Sequence, residues 1–217
     1  MIRKEWKKAG HNALLVQEPK SYEEAVAGPD ANEWKEAMNK EHQSLLKNQT
    51  WSLTELPSGR KTIKSKWVFK VKTNEDGSVD RFKARLVAQG FSQRHGIDND
   101  ETFSPVATKA TIRILIGLKA QGWHLRHVDV DTAYLNADID AELYISQPKG
   151  FEKRGDQGEV LVCKLRKAIY GLKQAGLAWY DHLSKLLTKM KFRKSVHDPC
   201  LSSTTQASYL RHMWTTY

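Results

Sequence analysis

Two alternating runs around one tight turn constrain this chain more than any other feature of its 217 residues. Residues 65–72, SKWVFKVK, and 80–88, DRFKARLVA, each alternate with period two, and Asn74-Glu75-Asp76-Gly77 lies between them. Period two belongs to a strand with one buried face, and an Asp-Gly turn between two such runs predicts a β-hairpin. Phe82, Ala84, Leu86 and Ala88 share one face of the second run, while Arg81, Lys83 and Arg85 share the other. Like charges facing each other across a ladder are destabilising unless an anion lies between them. Such a hairpin needs a core on one side and points to a phosphate-bearing partner on the other. A basic face that is merely solvated is the competing reading.

The net charge of +10 is unevenly spread. Residues 60–95 carry 10 basic and 3 acidic side chains, residues 151–195 carry 11 and 4, and residues 96–150 between them carry 5 and 8. A polyanion gripped by both flanks would lie across the central carboxylates, the plan of a site that holds phosphates and metal ions together. Other classes are excluded. No apolar run approaches the ~18–20 residues of a membrane span. The start, MIRKEWKKAGHN, has no apolar stretch of the secretory kind. Two cysteines, Cys163 and Cys200, make neither a disulfide scaffold nor, with His95 or His127, a zinc spacing. The sequence carries no Ser-His-Asp set and no phosphate-binding glycine loop. The expectation is a soluble, basic, intracellular protein.

Residues 1–20 read as a loose leader. Ser21-Tyr22-Glu23-Glu24 is a capping box that opens a short helix ending near Gly28-Pro29. Asp30 is then expected to cap a second helix, on which Trp34, Met38, Glu41 and Leu45 recur at helical spacing. Leu56-Pro57-Ser58-Gly59 is a turn, and residues 107–121 predict a third helix with Ile112, Leu115 and Ile116. WHLRHVDV, residues 123–130, reads as a strand with Leu125, His127 and Asp129 on one face. Residues 142–146 and 161–167 read as short strands, and 174–192 as an amphipathic helix. From Leu201 the text is polar and without period.

These blocks, taken in order, carry a family. EPKSYEEA, EWKEAMNKEHQSL, TWSL, KWVFKVK, RFKARLVAQGFSQ, ETFSPVA, TIRILI, HVDVDTAYLNADI, YISQPKGF and LRKAIYGLKQAGLAWYDHL resemble the reverse transcriptase of copia-type long-terminal-repeat retrotransposons. The resemblance runs from about Glu18 to Cys200. It implies an α+β fold, the fingers and an incomplete palm of a right-handed polymerase, with an antiparallel palm sheet backed by helices. On that reading 1–20 is a leader, 21–122 holds the N-terminal helices and fingers, 123–200 is a partial palm and 201–217 an aberrant tail. It also implies template-directed DNA synthesis on an RNA or DNA template-primer from deoxynucleoside triphosphates, with two Mg2+ ions, in a cytoplasmic particle or the nucleus. Two metals about 3.5–4 Å apart need several carboxylates, because one cannot complete both octahedral shells.

Residue by residue, the resemblance assigns Asp129 in HVDVDTAY to the first metal-binding aspartate and the Val130 carbonyl to a second oxygen ligand. Asp131 is left as a solvated carboxylate. Tyr134 matches the ring that packs under the incoming sugar and rejects a 2′-hydroxyl; a core tyrosine is its rival reading. Lys83 and Arg85 match the triphosphate grip. Tyr170-Gly171-Leu172-Lys173-Gln174 matches the loop beneath template and nucleotide, with Lys173 meeting a phosphate and Gln174 beside it. Trp179 is read as core. Where relatives carry Pro and Arg after that loop, this chain has Gly176 and Leu177.

The family's second catalytic block, Tyr-Val-Asp-Asp, should follow Asp198-Pro199-Cys200, yet no aspartate or glutamate occurs after Asp198. Back-translating His212-Met213-Trp214-Thr215-Thr216-Tyr217 and reading from the last base of the histidine codon yields Tyr or His, then Val, then Asp, with a second Asp permitted. A frameshift or misplaced exon boundary between about Leu201 and Arg211 is therefore inferred, and the polypeptide is expected to be inactive as a polymerase. The alternatives are a basic nucleic-acid-binding module and a relic with no function.

Overall fold

Helix α1 (Tyr22–Ala27) starts at the expected box. Ser21 Oγ accepts from the Glu24 amide at 3.2 Å, while the Glu24 carboxylate reaches past Ser21 to the Lys20 amide at 2.8 Å. Helix α2 (Ala31–Lys47) follows at once. Asp30 stands at its N-cap but makes no capping bond, contrary to expectation. Its backbone, at φ −97° and ψ 30°, is not extended, and an extended N-cap is what aims a side chain at the first-turn amides. The computed structural model describes residues 17–126, 128–204 and the backbone of 209–211. The frame-shifted reading of residues 212–217, the leader over 1–16 and His127 lie outside the described residues.

The hairpin forms as its alternation requires. Strands β2 (Ser65–Thr73) and β3 (Val79–Ala88) pair antiparallel, with Trp67 opposite Leu86, Lys70 opposite Lys83 and Lys72 opposite Arg81. Gly77 takes the left-handed conformation, φ 79°, that the turn demands. Trp67, Phe69, Val71, Ala84, Leu86 and Ala88 are buried on one face. Helix α2 covers that face with Trp34, Met38 and Leu45. The Trp34 ring meets Phe69 and Phe82 edge-on, at 5.2 and 4.6 Å between centroids. These contacts weld the helix to the hairpin, which two strands alone would not stabilise.

A second sheet runs in the order β1 (Trp51–Thr54), β5 (Val162–Leu165), β4 (Tyr144–Ile145), all antiparallel. Ile63 bridges to Ile145 on the far side of β4, and Ser65 bonds to Ser146, so this sheet leads into the hairpin. Helix α4 (Ala175–Lys189) lays Trp179 into the same core, as the sequence predicts. Short strands β6 (Arg193–Lys194), β7 (Leu201–Ser203) and β8 (Tyr209–Arg211) form a third sheet by backbone pairing. The architecture is thus mixed α+β built on small antiparallel sheets.

One expectation is corrected around the middle of the chain. Residues 123–126 and 128–130 form no strand and are exposed throughout. A strand is sustained by a neighbour's ladder bonds, and no described residue forms a β-ladder with this segment. Helix α3 (Lys109–Ala120) forms, capped by Thr108, but the only residue it buries is Thr111. Ile114 and Ile116 are 63% and 59% exposed. What anchors α3 is a carboxylate near the chain's end. Asp198, itself buried, accepts from the Thr108 amide at 3.2 Å and from the Thr108 and Thr111 hydroxyls, and its other oxygen takes the Cys200 amide at 2.9 Å. Burial pushes the Asp198 carboxyl up, but these hydrogen bonds outweigh it and hold the group below its ordinary value.

Candidate functional site

The outer edge of β3 organises the site. In an antiparallel strand, alternate amides point away from the partner strand, and here two successive ones are claimed by distant parts of the chain. The Leu86 amide donates to the Glu41 carboxylate of α2 at 3.4 Å, and the Ala88 amide donates to the Tyr170 carbonyl at 2.8 Å. The second bond seats the loop 170–174 directly on the strand. Gly171 has φ 89°, and a Cβ there would overlap the Ala88 carbonyl oxygen and lie 2.6 Å from Val87 Cγ1. A Cβ on Gly90 would overlap the Gly171 carbonyl oxygen in turn. Glycine is required at both because two backbones touch.

Seating the loop brings three of the expected residues into one stack. The Arg85 guanidinium carbon lies 5.1 Å from the centroid of the Tyr170 ring. Tyr170 meets Tyr134 edge-on at 4.7 Å and 71°. Tyr134 comes from a single 3-10 turn, Ala133–Asn136, entered through Thr132 in the left-handed conformation, φ 50°. Burial, and then Tyr170, push the Tyr134 phenol up, so it is neutral at physiological pH. A flat neutral ring packed against the core is the form a steric gate needs; it is also the form a packing tyrosine takes.

Lys83 stands on the outward face beside Arg85. Burial, then Arg85 and Arg81, push its ammonium pKa down, with Glu41 opposing them. The cost of like charges foreseen from the sequence is therefore present in the fold. Two carboxylates moderate it, one at each free edge of the hairpin. Glu41 sits behind β3. Glu18 caps β2 from in front, taking the Val71 amide at 3.0 Å and pairing with Lys70 at 2.9 Å. Burial raises Glu18, but Lys70 and the Val71 amide outweigh it and leave the carboxyl below its ordinary value.

Lys173 and Gln174 are engaged within the protein. Lys173 Nζ donates to the Gln93 carbonyl at 3.0 Å, and its amide donates to Gln93 Oε1 at 2.8 Å. Gln93 Nε2 donates to Gln174 Oε1 at 2.9 Å, and Gln174 Nε2 to the Asp98 carbonyl at 2.9 Å. This buried amide pair locks the loop onto residues 90–98. Sequence reasoning did not assign Gln93, although it stands inside the quoted block RFKARLVAQGFSQ.

Asp129 and Val130 enter none of these contacts. Both are exposed, in the stretch before Tyr134. Among the described residues no three His, Cys, Asp or Glu side chains come together as metal ligands would. The donors among the described residues therefore do not form a divalent-ion site.

Comparison with known proteins identifies the family. The reverse transcriptase (RNA-dependent DNA polymerase) family matches residues 48–206. A retrovirus-related Pol polyprotein from transposon TNT 1-94 of Nicotiana tabacum is 43% identical over 186 residues, covering 85% of this chain and 14% of that protein. The Pol polyprotein from transposon RE2 of Arabidopsis thaliana is 41% identical over 204 residues, covering 92% and 14%. An uncharacterized mitochondrial protein of Arabidopsis thaliana is 45% identical over 107 residues, covering 49% of this chain and 61% of that protein. The chain thus spans a small part of the polyproteins it matches. No solved structure matches.

Proposed function

The chain belongs to the reverse transcriptase family, in the branch carried by the Pol polyproteins of copia-type retrotransposons, and from that premise we propose that it is the fingers and part of the palm of a right-handed polymerase. In this reading the β2–β3 hairpin is the fingers, and the 217-residue polypeptide holds nucleotide and template without completing synthesis. The observation that carries it is the Arg85–Tyr170–Tyr134 stack, closed by Gly171 on the edge of β3.

Each part has a physical task. Lys83 and Arg85 offer charge-assisted bonds to triphosphate oxygens; the guanidinium is always charged, while the half-buried ammonium of Lys83 gains most from an anion. The Tyr134 ring fills the space a 2′-hydroxyl would enter. Gly90 and Gly171 let the loop 170–174 lie against β3, which holds Tyr170 beside Arg85. The basic face of the hairpin, with Lys66, Lys70, Lys72 and Arg81, follows the phosphates of a template. In the intact family two magnesium ions activate the primer hydroxyl and stabilise pyrophosphate. Here Asp129 stands without the second carboxylate block. The exposed faces of α3 and of residues 123–126 and 128–130 are the surface on which that block's hairpin would pack.

The test is binding of a labelled deoxynucleoside triphosphate and of a primer-template to the 217-residue chain, with primer extension in magnesium alongside. Triphosphate binding weakened by Lys83→Ala, Arg85→Ala and Tyr134→Ala, with no extension, supports the reading. Salt-sensitive oligonucleotide binding with no triphosphate binding overturns it in favour of a basic binding module. Magnesium-dependent incorporation overturns the inactivity.

A further inference from the structure

Glu41 is a carboxylate in the wrong place for a helix whose inner face is a core. It lies between Met38, 1% exposed, and Leu45, 2% exposed, on the stripe that α2 turns toward the hairpin. Its partner, the Leu86 amide, belongs to a residue that is 1% exposed, so without Glu41 that donor would be buried and unpaired. A glutamine or a threonine could supply such an acceptor without burying a charge. Arg85 and Lys83 of β3 act on that charge through space and favour its ionised form. These are the two cations of the nucleotide site.

We propose that Glu41 is a positioning residue for a triphosphate: from behind β3 its carboxylate draws Lys83 and Arg85 into a shared orientation that a solvated pair would not hold. The proposal rests on the nucleotide-site reading above. Lys83 and Arg85 belong to a crowded ribbon, with Arg81 beside them and Lys70 and Lys72 across the ladder. Mutual repulsion would splay these side chains into solvent. A fixed anion behind the strand opposes that splay at the two positions nearest the Tyr170 loop. Binding then loses less side-chain freedom, which is how preorganisation raises affinity. The cost of this arrangement is visible. Burial pushes the Glu41 carboxyl up, and the attractions of the Leu86 amide, Arg85 and Lys83 recover only part of it. For an acid raised in the fold, stability is fullest while the group is protonated and is lost as pH rises through its folded pKa.

That sign separates a positioning role from a structural one. Glu41→Gln keeps the size and an acceptor for Leu86 but removes the buried charge, so the variant should melt no lower than the parent at pH 7.5. Positioning predicts that it nevertheless binds dTTP on the order of fivefold more weakly, the loss expected when one or two long side chains must be reordered. Simple charge removal predicts the reverse, because an anion near the site has gone. Equal or tighter binding by Glu41→Gln overturns the proposal.

A second measurement needs no variant. Binding and protonation are reciprocal. If the ionised carboxylate assists the triphosphate, saturating dTTP must lower the pH at which Glu41 titrates, read by carbon NMR of the glutamate-labelled chain. An upward shift, or none, sinks the proposal even if Glu41→Gln fails to fold. Lys83→Ala and Arg85→Ala serve as controls for the underlying reading. If neither weakens dTTP binding, the nucleotide site falls and Glu41 with it. If both weaken it while Glu41→Gln does not, only the role of Glu41 falls.

Discussion

Gly171→Ala tests how the loop 170–174 is seated. At φ 89° a side chain occupies the left-handed region, at about 1–2 kcal/mol for an L-residue. The new methyl group would also overlap the Ala88 carbonyl oxygen and press on Val87, and overpacking of that kind costs about 1–3 kcal/mol. Relief by lifting the loop breaks the bond from the Ala88 amide to the Tyr170 carbonyl, worth about 1 kcal/mol. Strain and overpacking together therefore predict a destabilisation of about 2–5 kcal/mol. Gly77→Ala is the natural control. Its φ is 79°, but nothing lies within 4 Å of the added carbon, so only the backbone cost of about 1–2 kcal/mol applies. Urea unfolding followed by tryptophan fluorescence separates the two. With a slope of about 2 kcal/mol per molar, Gly171→Ala should lower the midpoint by roughly 1–2.5 M and Gly77→Ala by roughly 0.5–1 M. Gly171→Ala should also abolish triphosphate binding, because Tyr170 loses its place between Arg85 and Tyr134. Equal midpoints for the two variants would refute the close contact between loop and strand.

The anchoring of α3 by Asp198 is open to an equally direct test. Asp198→Ala leaves the Thr111 hydroxyl and the Cys200 amide without their acceptor and should cost about 2–4 kcal/mol by denaturant unfolding, with loss of α3 protection in hydrogen exchange. Because its folded pKa lies below the ordinary 3.8, the stability Asp198 adds is complete above that pH and is lost as pH falls through the lower folded value. An acid-unfolding curve that Asp198→Asn leaves unchanged would count against the anchor. Trp34→Ala removes the ring that holds α2 to Phe69 and Phe82 and should cost about 3–5 kcal/mol; a loss below 1 kcal/mol would mean that the hairpin is not held by α2.

Several parts of this molecule were legible before any fold was seen, for a common reason. The hairpin, the Ser21 cap and the stripe of α2 follow from spacing along the chain, and spacing reports on contacts within one element. The ordered blocks supplied the family. Spacing also showed Glu41 within an apolar stripe, the one visible sign of its placement, although its partner could not be read. Asp30 was misread because a capping residue type was taken to imply a capping backbone.

What the one-dimensional text could not supply is the meeting of residues far apart in it. Glu41 finds Leu86, Gln93 finds Gln174 and Asp198 finds Thr111 across separations of 45, 81 and 87 residues. A side chain's pattern states which way it faces, not what waits there. The segment 123–130 makes the same point from the opposite direction. It alternates like a strand, but a ladder requires a second edge, and no described residue provides one. Local residues decided which segments are competent to be strands and helices; tertiary pairing alone decided that Arg85, Tyr170 and Tyr134 come together while Asp129 lies exposed.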